Sequence, residues 1–243
     1  MSSQSTRPLA VITGGSRGLG FEVAKALTLK GFDIALIAKD AQRLEEAADQ
    51  LRASTAHIST FVCDLEQPHL VRELIDSLTQ SLPTPTTLVL AHGVMSAKMS
   101  KTLKTDDAEW RRVMAINLDS VFQLVNGIAP AMADARNGRV IIFSACLGRM
   151  SGPGNAGGLA PYRISKAGVN ALVRNLAHET GLGARGFLVD AICPNHSRTD
   201  MGGPDAPRSA EEGAATAIWL ATREFNPGDT TGVLWEDQQV VPW

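Results

Sequence analysis

An alternation constrains this chain more than any other feature. Short apolar runs recur at residues 9–13, 33–38, 58–63, 87–91, 138–143, 187–192 and near 232–235, and stretches of helical period lie between them at 19–30, 41–52, 70–78, 107–135, 162–180 and 210–221. A run with no polar alternation suits a strand buried on both faces, as in a parallel sheet covered by helices. Parallel neighbours need long crossovers, which are right-handed. The predicted fold class is α/β: a single doubly wound parallel sheet of about seven strands with helices on both faces. It is built by residues 8–243 as one domain, after a flexible polar tail at 1–7. Local signals agree with this. Asp40 can cap the helix over 41–52, whose Leu44, Ala47, Ala48 and Leu51 form an apolar stripe. The long pattern over 107–135 is entered through Thr105 and Asp106 and reads as interrupted at Gly127 and Pro130.

Composition narrows the function classes. Of 243 residues, 44% are hydrophobic and 20% charged, and the net charge is −2 with no basic block. Nucleic acid and anionic membranes are therefore excluded as expected partners. The cysteines, Cys63, Cys146 and Cys193, lie far apart with no metal-ligand spacing, so no metal site is expected and the thiols suit a reducing cytoplasm. The polar start MSSQSTRP does not read as a signal peptide, and no apolar run approaches the roughly 18 residues of a membrane span.

Open parallel sheets bind ligands at the carboxyl ends of their strands. The unusual segments at 13–20, 38–40, 63–65, 91–94, 144–162 and 193–208 all fall in strand-to-helix connections, which argues for one site. In the first of them, Thr13-Gly14-Gly15-Ser16-Arg17-Gly18-Leu19-Gly20 passes from strand to helix. Gly14 permits a tight turn, Gly18 lets backbone approach a pyrophosphate, and Gly20 lets helix and strand pack closely, while the helix N-terminus offers free N–H groups to an anion. Further on, Tyr162, the only tyrosine, precedes Lys166 by one helical turn. An ammonium beside a phenol favours the phenolate and draws its pKa down from about 10. Such a phenol can exchange a proton with a carbonyl or alcohol oxygen.

Together these motifs resemble the short-chain dehydrogenase/reductase family: TGGSRGLG is similar to its TGxxxGxG cofactor loop and YRISK to its YxxxK motif. Met114-Ala-Ile-Asn117-Leu resembles its mid-helix asparagine segment, and Cys193-Pro194-Asn-His-Ser-Arg-Thr199 its PGxxxT loop. The resemblance runs from about residue 8 to the last strand, and residues 147–213 look most like the carbonyl-reductase-like branch. It implies a Rossmann-type fold and hydride transfer between a nicotinamide and the carbonyl or secondary alcohol of a small substrate. By that analogy the catalytic residues are Asn117, Ser144, Tyr162 and Lys166. Tyr162 is the general acid/base. Lys166 holds the nicotinamide ribose and lowers the tyrosine pKa, and Asn117 positions a water. The cofactor-binding set is Thr13, Gly14, Ser16, Arg17, Gly18, Leu19, Gly20, Lys39, Asp64, Leu65, Ala91, His92, Gly93, Tyr162, Lys166, Pro194, Ser197 and Thr199.

The cofactor expected is NADP(H). Ala38 stands where an NAD site wants a carboxylate, and Arg17 and Lys39 supply two cations for a 2′-phosphate. Three departures from the family pattern matter. Leu90-Ala91-His92-Gly93 replaces NNAG, which leaves His92 either beside the cofactor or simply packed. Asn195 replaces a glycine and must tolerate left-handed backbone. Ser144-Ala145 aligns strictly with Ala145 at the catalytic serine position, so Ser144 serves only if the strand end bulges. Three functions stay open: an NADPH-dependent reductase of a small apolar carbonyl compound, a dinucleotide-binding sensor with little or no catalysis, or an isomerase or dehydratase on the same scaffold. Val121, Leu124, Val125 and Ile128 on one long helix, with Val169, Leu172, Val173 and Leu176 on another, are expected to build a homodimer or homotetramer.

Overall fold

A computed structural model describes residues 7–96, 101–152, 157–226 and 228–243. The strands are β1 (Leu9–Thr13), β2 (Asp33–Ala38), β3 (Ile58–Val62), β4 (Thr87–Leu90), β5 (Gly138–Phe143), β6 (Phe187–Ile192), β7 (Leu234–Glu236) and β8 (Gln239–Val241). They form one sheet in the order β3-β2-β1-β4-β5-β6-β7-β8, parallel throughout except for the antiparallel β7–β8 pair. The helices are α1 (Gly18–Leu29), α2 (Ala41–Arg52), α3 (Pro68–Ser81), α4 (Asp107–Met114), α5 (Ser120–Asp134), α6 (Ala160–Glu179) and α7 (Ala210–Thr222).

The unalternating strands are explained by two cores. In β1, Leu9 and Val11 face one apolar cluster with Leu124, Ile128 and Val173, while Ala10 and Ile12 face a second with Val23, Leu27 and Leu44. Successive strand residues point to opposite faces, and both faces here are covered. Burying one such Leu or Ile contributes about 1.5–3 kcal/mol. The chain leaves β1 toward β2 on one side and returns at β4 on the other. The strand order therefore reverses beside β1, and a crevice opens at the strand ends there.

Local signals decide several boundaries. Asp40 caps α2 as expected, accepting from Arg43 N at 3.1 Å, and Asp106 caps α4 through Glu109 N at 2.8 Å. A reciprocal Ser209–Glu212 capping box that the sequence reading passed over starts α7.

The expected fold class stands, and four details of the expectations change. The sheet has eight strands, because the two-residue turn Asp237–Gln238 folds a last short strand back on β7 with both residues at positive φ, 51° and 61°. Neither turn residue is the glycine that usually announces such a hairpin. The 107–135 stretch is interrupted at Asn117, by a π-helical turn over Ala115–Asp119, and α5 runs through Gly127 and Pro130. Gly127 serves helix packing: a Cβ there would lie 2.6 Å from Ile75 Cγ2 of α3.

The third correction concerns the apolar residues expected at a subunit interface. Val121, Leu124, Val125, Ile128, Val169 and Val173 are buried in this chain's own core, and Leu172 and Leu176 pack against it partly buried. The large apolar side chains left exposed on those helices are Trp110, Phe122 and Ile164. Last, residues 1–6 of the expected tail lie outside the described residues, and Arg7 is fastened rather than loose. It donates to Gly31 O at 3.1 Å and sits 3.8 Å from Asp33. Among the described residues no helix is long and apolar enough to cross a membrane.

Candidate active site

The βα connections enclose a cleft of about 1030 Å³, lined by residues of the glycine turn, the ends of β2, β3 and β4, and Thr199–Met201. Gly14 and Gly18 take positive φ, 65° and 56°, and a Cβ on Gly20 would lie 2.3 Å from Gly14 O. Only glycine fits that crossing of strand and helix. Arg17 precedes α1 without a side-chain cap, so the first-turn N–H groups remain available to an anion. Of the sequence-predicted cofactor residues, Gly14, Ser16, Arg17, Gly18, Leu19, Gly20, Lys39, Asp64, Leu65, Ala91, His92, Gly93 and Thr199 line the cleft. Thr13, Pro194, Ser197, Tyr162 and Lys166 do not. Ser197 is buried and donates to Pro194 O at 3.0 Å.

The charges at the end of the cleft beside β2 and β3 differ from the expected two cations without an acid. Lys39 Nζ meets Asp64 at 2.7 Å, a hydrogen bond that raises the lysine pKa. Arg17 is paired with Asp200, and the same carboxylate oxygen lies 3.5 Å from Arg43 Nη1. Arg43 is a third cation that the sequence reading missed. Its signal was its place three residues after the cap Asp40, which sets it in the first turn of α2 facing the cleft.

Behind the other end of the cleft the polar groups are buried. His92 Nδ1 is 2.6 Å from Thr13 Oγ1, and His92 Nε2 is 2.9 Å from Ser120 Oγ. Ser120 Oγ in turn donates to Ile116 O at 2.7 Å. With that hydroxyl proton committed, Nε2–H donates to Ser120 and Nδ1 accepts from Thr13. Burial, then the Lys166 charge, push the His92 pKa down to about 3, so the ring is neutral. It ties β1, β4 and α5 together.

Asn117 brackets Val94 with its amide, accepting from Val94 N at 2.8 Å and donating to Val94 O at 2.9 Å, and reaches Ser165 Oγ at 3.1 Å. Ser165 Oγ donates to Tyr162 O at 2.8 Å. Lys166 Nζ donates to Phe143 O at 2.6 Å, and burial lowers its pKa to about 8. A Cβ on Gly93 would lie 3.4 Å from both Asn117 Oδ1 and Lys166 Nζ, so these two groups stand directly behind Gly93 in the cleft wall.

Two catalytic expectations are corrected by this geometry. The Tyr162 phenol is raised rather than lowered, first by burial and then by the neighbouring Cys193 and Cys146 thiols. The Lys166 ammonium is 5.9 Å from the ring centroid and gives one of its three N–H donors to Phe143 O. The Ser144 hydroxyl is turned into α6, donating to Asn170 Oδ1 at 2.5 Å and lying 3.3 Å from Lys166 O. The strand does not bulge: Ser144 N continues the sheet ladder to Ile192 O at 2.8 Å, and Ala145 follows in extended backbone with φ −160°. Ser144 therefore supports α6, and Ala145 takes the opposite direction. Asn195 adopts the left-handed φ its position demanded, 58°.

Residues 8–209 match the short chain dehydrogenase family model, so this glycine-cradled cleft with its buried tyrosine and lysine belongs to a member of the short-chain dehydrogenase/reductase family, which are nicotinamide-dependent oxidoreductases. The chain is 32% identical over 204 residues to 3-oxoacyl-(acyl-carrier-protein) reductase FabG of Pseudomonas aeruginosa, covering 83% of this chain and 79% of that one. It is 31% identical to galactitol 2-dehydrogenase (L-tagatose-forming) of Cereibacter sphaeroides over 79% of this chain and 72% of that one. A short-chain type dehydrogenase/reductase structure from Mycobacterium marinum superposes with a TM-score of 0.78 at 26% identity, covering 88% of each chain. These relatives do not single out a carbonyl-reductase-like branch.

Proposed function

We propose that this chain is an NADPH-dependent oxidoreductase that reduces the carbonyl of a small, largely apolar substrate, with Tyr162 as the proton donor. The observation that carries the reading is the convergence of Asn117 and Lys166 behind Gly93, one helical turn from Tyr162, at the wall of the glycine-lined cleft. NADPH supplies the hydride when bound. Three cations at the adenosine end, Arg17, Lys39 and Arg43, favour its 2′-phosphate over the bare ribose of NADH. Tyr162 gives its proton to the substrate oxygen. The raised phenol holds that proton firmly until negative charge develops on the oxygen facing it.

Lys166, with its pKa lowered to about 8 by burial, gives one N–H to Phe143 O and keeps two for ribose hydroxyls or the phenolate left after transfer. Asn117 fixes the chain leaving β4 through its two bonds to Val94. The substrate lies between the loops after β5 and β6, where Met150 and Met201 are exposed. The enzyme works in the cytoplasm as a dimer or tetramer, with Trp110, Phe122 and Ile164 as the apolar contribution of α4–α6 to the interface. Light scattering at micromolar concentration tests the assembly, and a monomer would count against it.

A second reading, a dinucleotide-binding sensor, is favoured by one feature: Ser144 is committed to α6 and Ala145 has no hydroxyl, so the end of β5 leaves no free serine hydroxyl for the reaction. Oxidation of NADPH with a panel of ketones, diketones and quinones separates the two. Turnover above the cofactor's own background supports the reductase. Tight NADPH binding with none of the panel turned over supports the sensor.

A further inference from the structure

We infer that Asp200 is an internal counter-ion on the 2′-phosphate subsite: it holds Arg17 and Arg43 together, and a cofactor phosphate must displace it to bind. The inference rests on the NADPH reading and adds a coupling between cofactor and the loop that follows β6. Three separate elements meet here. Arg17 immediately precedes α1, Arg43 lies in the first turn of α2, and Asp200 arrives from the loop between β6 and α7. One carboxylate oxygen serves both guanidiniums. All three residues line the cleft, and their side chains are about half exposed or more, 55%, 53% and 64% for Arg17, Arg43 and Asp200.

The loop is shaped to present this carboxylate. Gly202 N donates to Thr199 Oγ1 at 3.1 Å and Gly203 N to Thr199 O at 2.8 Å, closing a turn with Asp200 near its tip. The turn is rooted by Arg198 N to Arg208 O at 2.7 Å. It also lies over the glycine turn, with Thr199 Cγ2 3.1 Å from the place of a Gly18 Cβ. The same residues that cover the phosphate cradle therefore carry the anion that occupies its cations.

A carboxylate carries one charge, and a phosphate near neutral pH carries close to two with three acceptor oxygens, so phosphate is the stronger ligand for the same pair of guanidiniums. Arg43 keeps a second carboxylate when Asp200 leaves, since its Nε is 3.6 Å from Asp40. Lys39 stays on Asp64 and takes no part in the exchange. Exposed ion pairs are weak, so the competition from Asp200 reduces phosphate affinity only by about two- to fivefold. A dinucleotide without the 2′-phosphate leaves Asp200 in place, so the loop distinguishes the two cofactors.

The test is calorimetric titration with 2′,5′-ADP and with 5′-ADP, on the full chain and on Asp200→Asn. In the natural chain 2′,5′-ADP is expected to bind the tighter of the two. Asp200→Asn is expected to tighten 2′,5′-ADP by about two- to fivefold and leave 5′-ADP within experimental scatter. If the natural chain prefers 2′,5′-ADP and Asp200→Asn leaves that ligand unchanged or weakens it, the counter-ion role is overturned while the NADPH reading stands. If the natural chain shows no preference, the NADPH reading falls. In that case a preference created by Asp200→Asn supports the counter-ion, and its absence overturns that too.

Discussion

At the β2–β3 end of the cleft, Arg17, Lys39 and Arg43 stand largely in solvent and pair with Asp200, Asp64 and Asp40. Behind the opposite end, Asn117, Ser144, Lys166 and Asn170 are buried, and each is hydrogen-bonded into the frame of β4, β5 and α6. Exposed ion pairs are worth little, so their partners exchange readily when a phosphate arrives. Buried polar groups stripped of a partner cost several times more, so their arrangement is set before any ligand binds. On the proposed reductase reading, recognition is adjustable in this molecule and chemistry is preset. Substitutions at the buried end should therefore have the larger effects.

The sharpest break would come at Tyr162. Tyr162→Phe removes the transferable proton and little volume, so kcat is expected to fall by about 10²–10⁴-fold with NADPH affinity nearly unchanged. Lys166→Ala should reduce both turnover and cofactor binding, because the same ammonium is assigned to the ribose and to the phenol. Steady-state kinetics with a fluorescence titration of NADPH checks both. Turnover of Tyr162→Phe within tenfold of the natural chain would remove the phenol from the reaction.

His92 tests how firmly the buried end is set. Its pKa is about 3 in the folded chain, against the usual 6.5. The unfolded chain therefore takes up the proton first, and stability falls as pH drops below 6.5 until about 3. Between pH 6.5 and 5 this amounts to about 2 kcal/mol. His92→Gln removes the titration, so urea unfolding of the variant should lose about that much less over the same interval. Equal pH slopes in variant and natural chain would mean that another group carries the acid sensitivity.

The two ends were unequally legible in the sequence. The sheet, the glycine turn and the positions of Tyr162 and Lys166 followed from periodicity and spacing, because these depend on backbone and on one helical turn. Lys39 and Arg17 were found because they flank strand and helix ends. Arg43 and Asp200 were missed, since their meeting depends on how a loop more than 150 positions away folds back. At the buried end the residue types were right and the directions were not. Only coordinates show that the Ser144 hydroxyl enters α6 and that the Lys166 ammonium is held by Phe143 O. The π-helical turn at Asn117 carries no composition signal either, and the glycine and proline that do are absorbed within α5.

Ser144 follows from that difference in direction. If its hydroxyl belongs to α6, Ser144→Ala leaves Asn170 Oδ1 buried without this donor, and stability should fall by about 1–2 kcal/mol with kcat within a few-fold. Ala145→Ser should raise kcat, since it adds a hydroxyl on the face turned away from α6. A hundredfold loss of kcat in Ser144→Ala at unchanged stability would instead put the serine in the reaction.

The smallest effects belong to the exposed cations, and they separate the three of them. Lys39 is held by Asp64, so a 2′-phosphate must compete for it with a carboxylate that has no other cation at hydrogen-bond distance among the described pairs. Arg43 shares Asp200 with Arg17 and also keeps Asp40, so its charge is the most thoroughly countered before binding. When Asp200 is displaced, however, Arg17 and Arg43 are released together, and each gains a dianion for half a carboxylate. Arg17→Ala and Arg43→Ala should each lower the NADPH-to-NADH affinity ratio by about fivefold, near 1 kcal/mol, and Lys39→Ala by less. Measured at rising salt, the three ratios should converge, because exposed charges are screened within about 8 Å at physiological ionic strength. A Lys39→Ala effect larger than either arginine's would place the phosphate on Lys39, and the exchange at Asp200 would then lose its purpose.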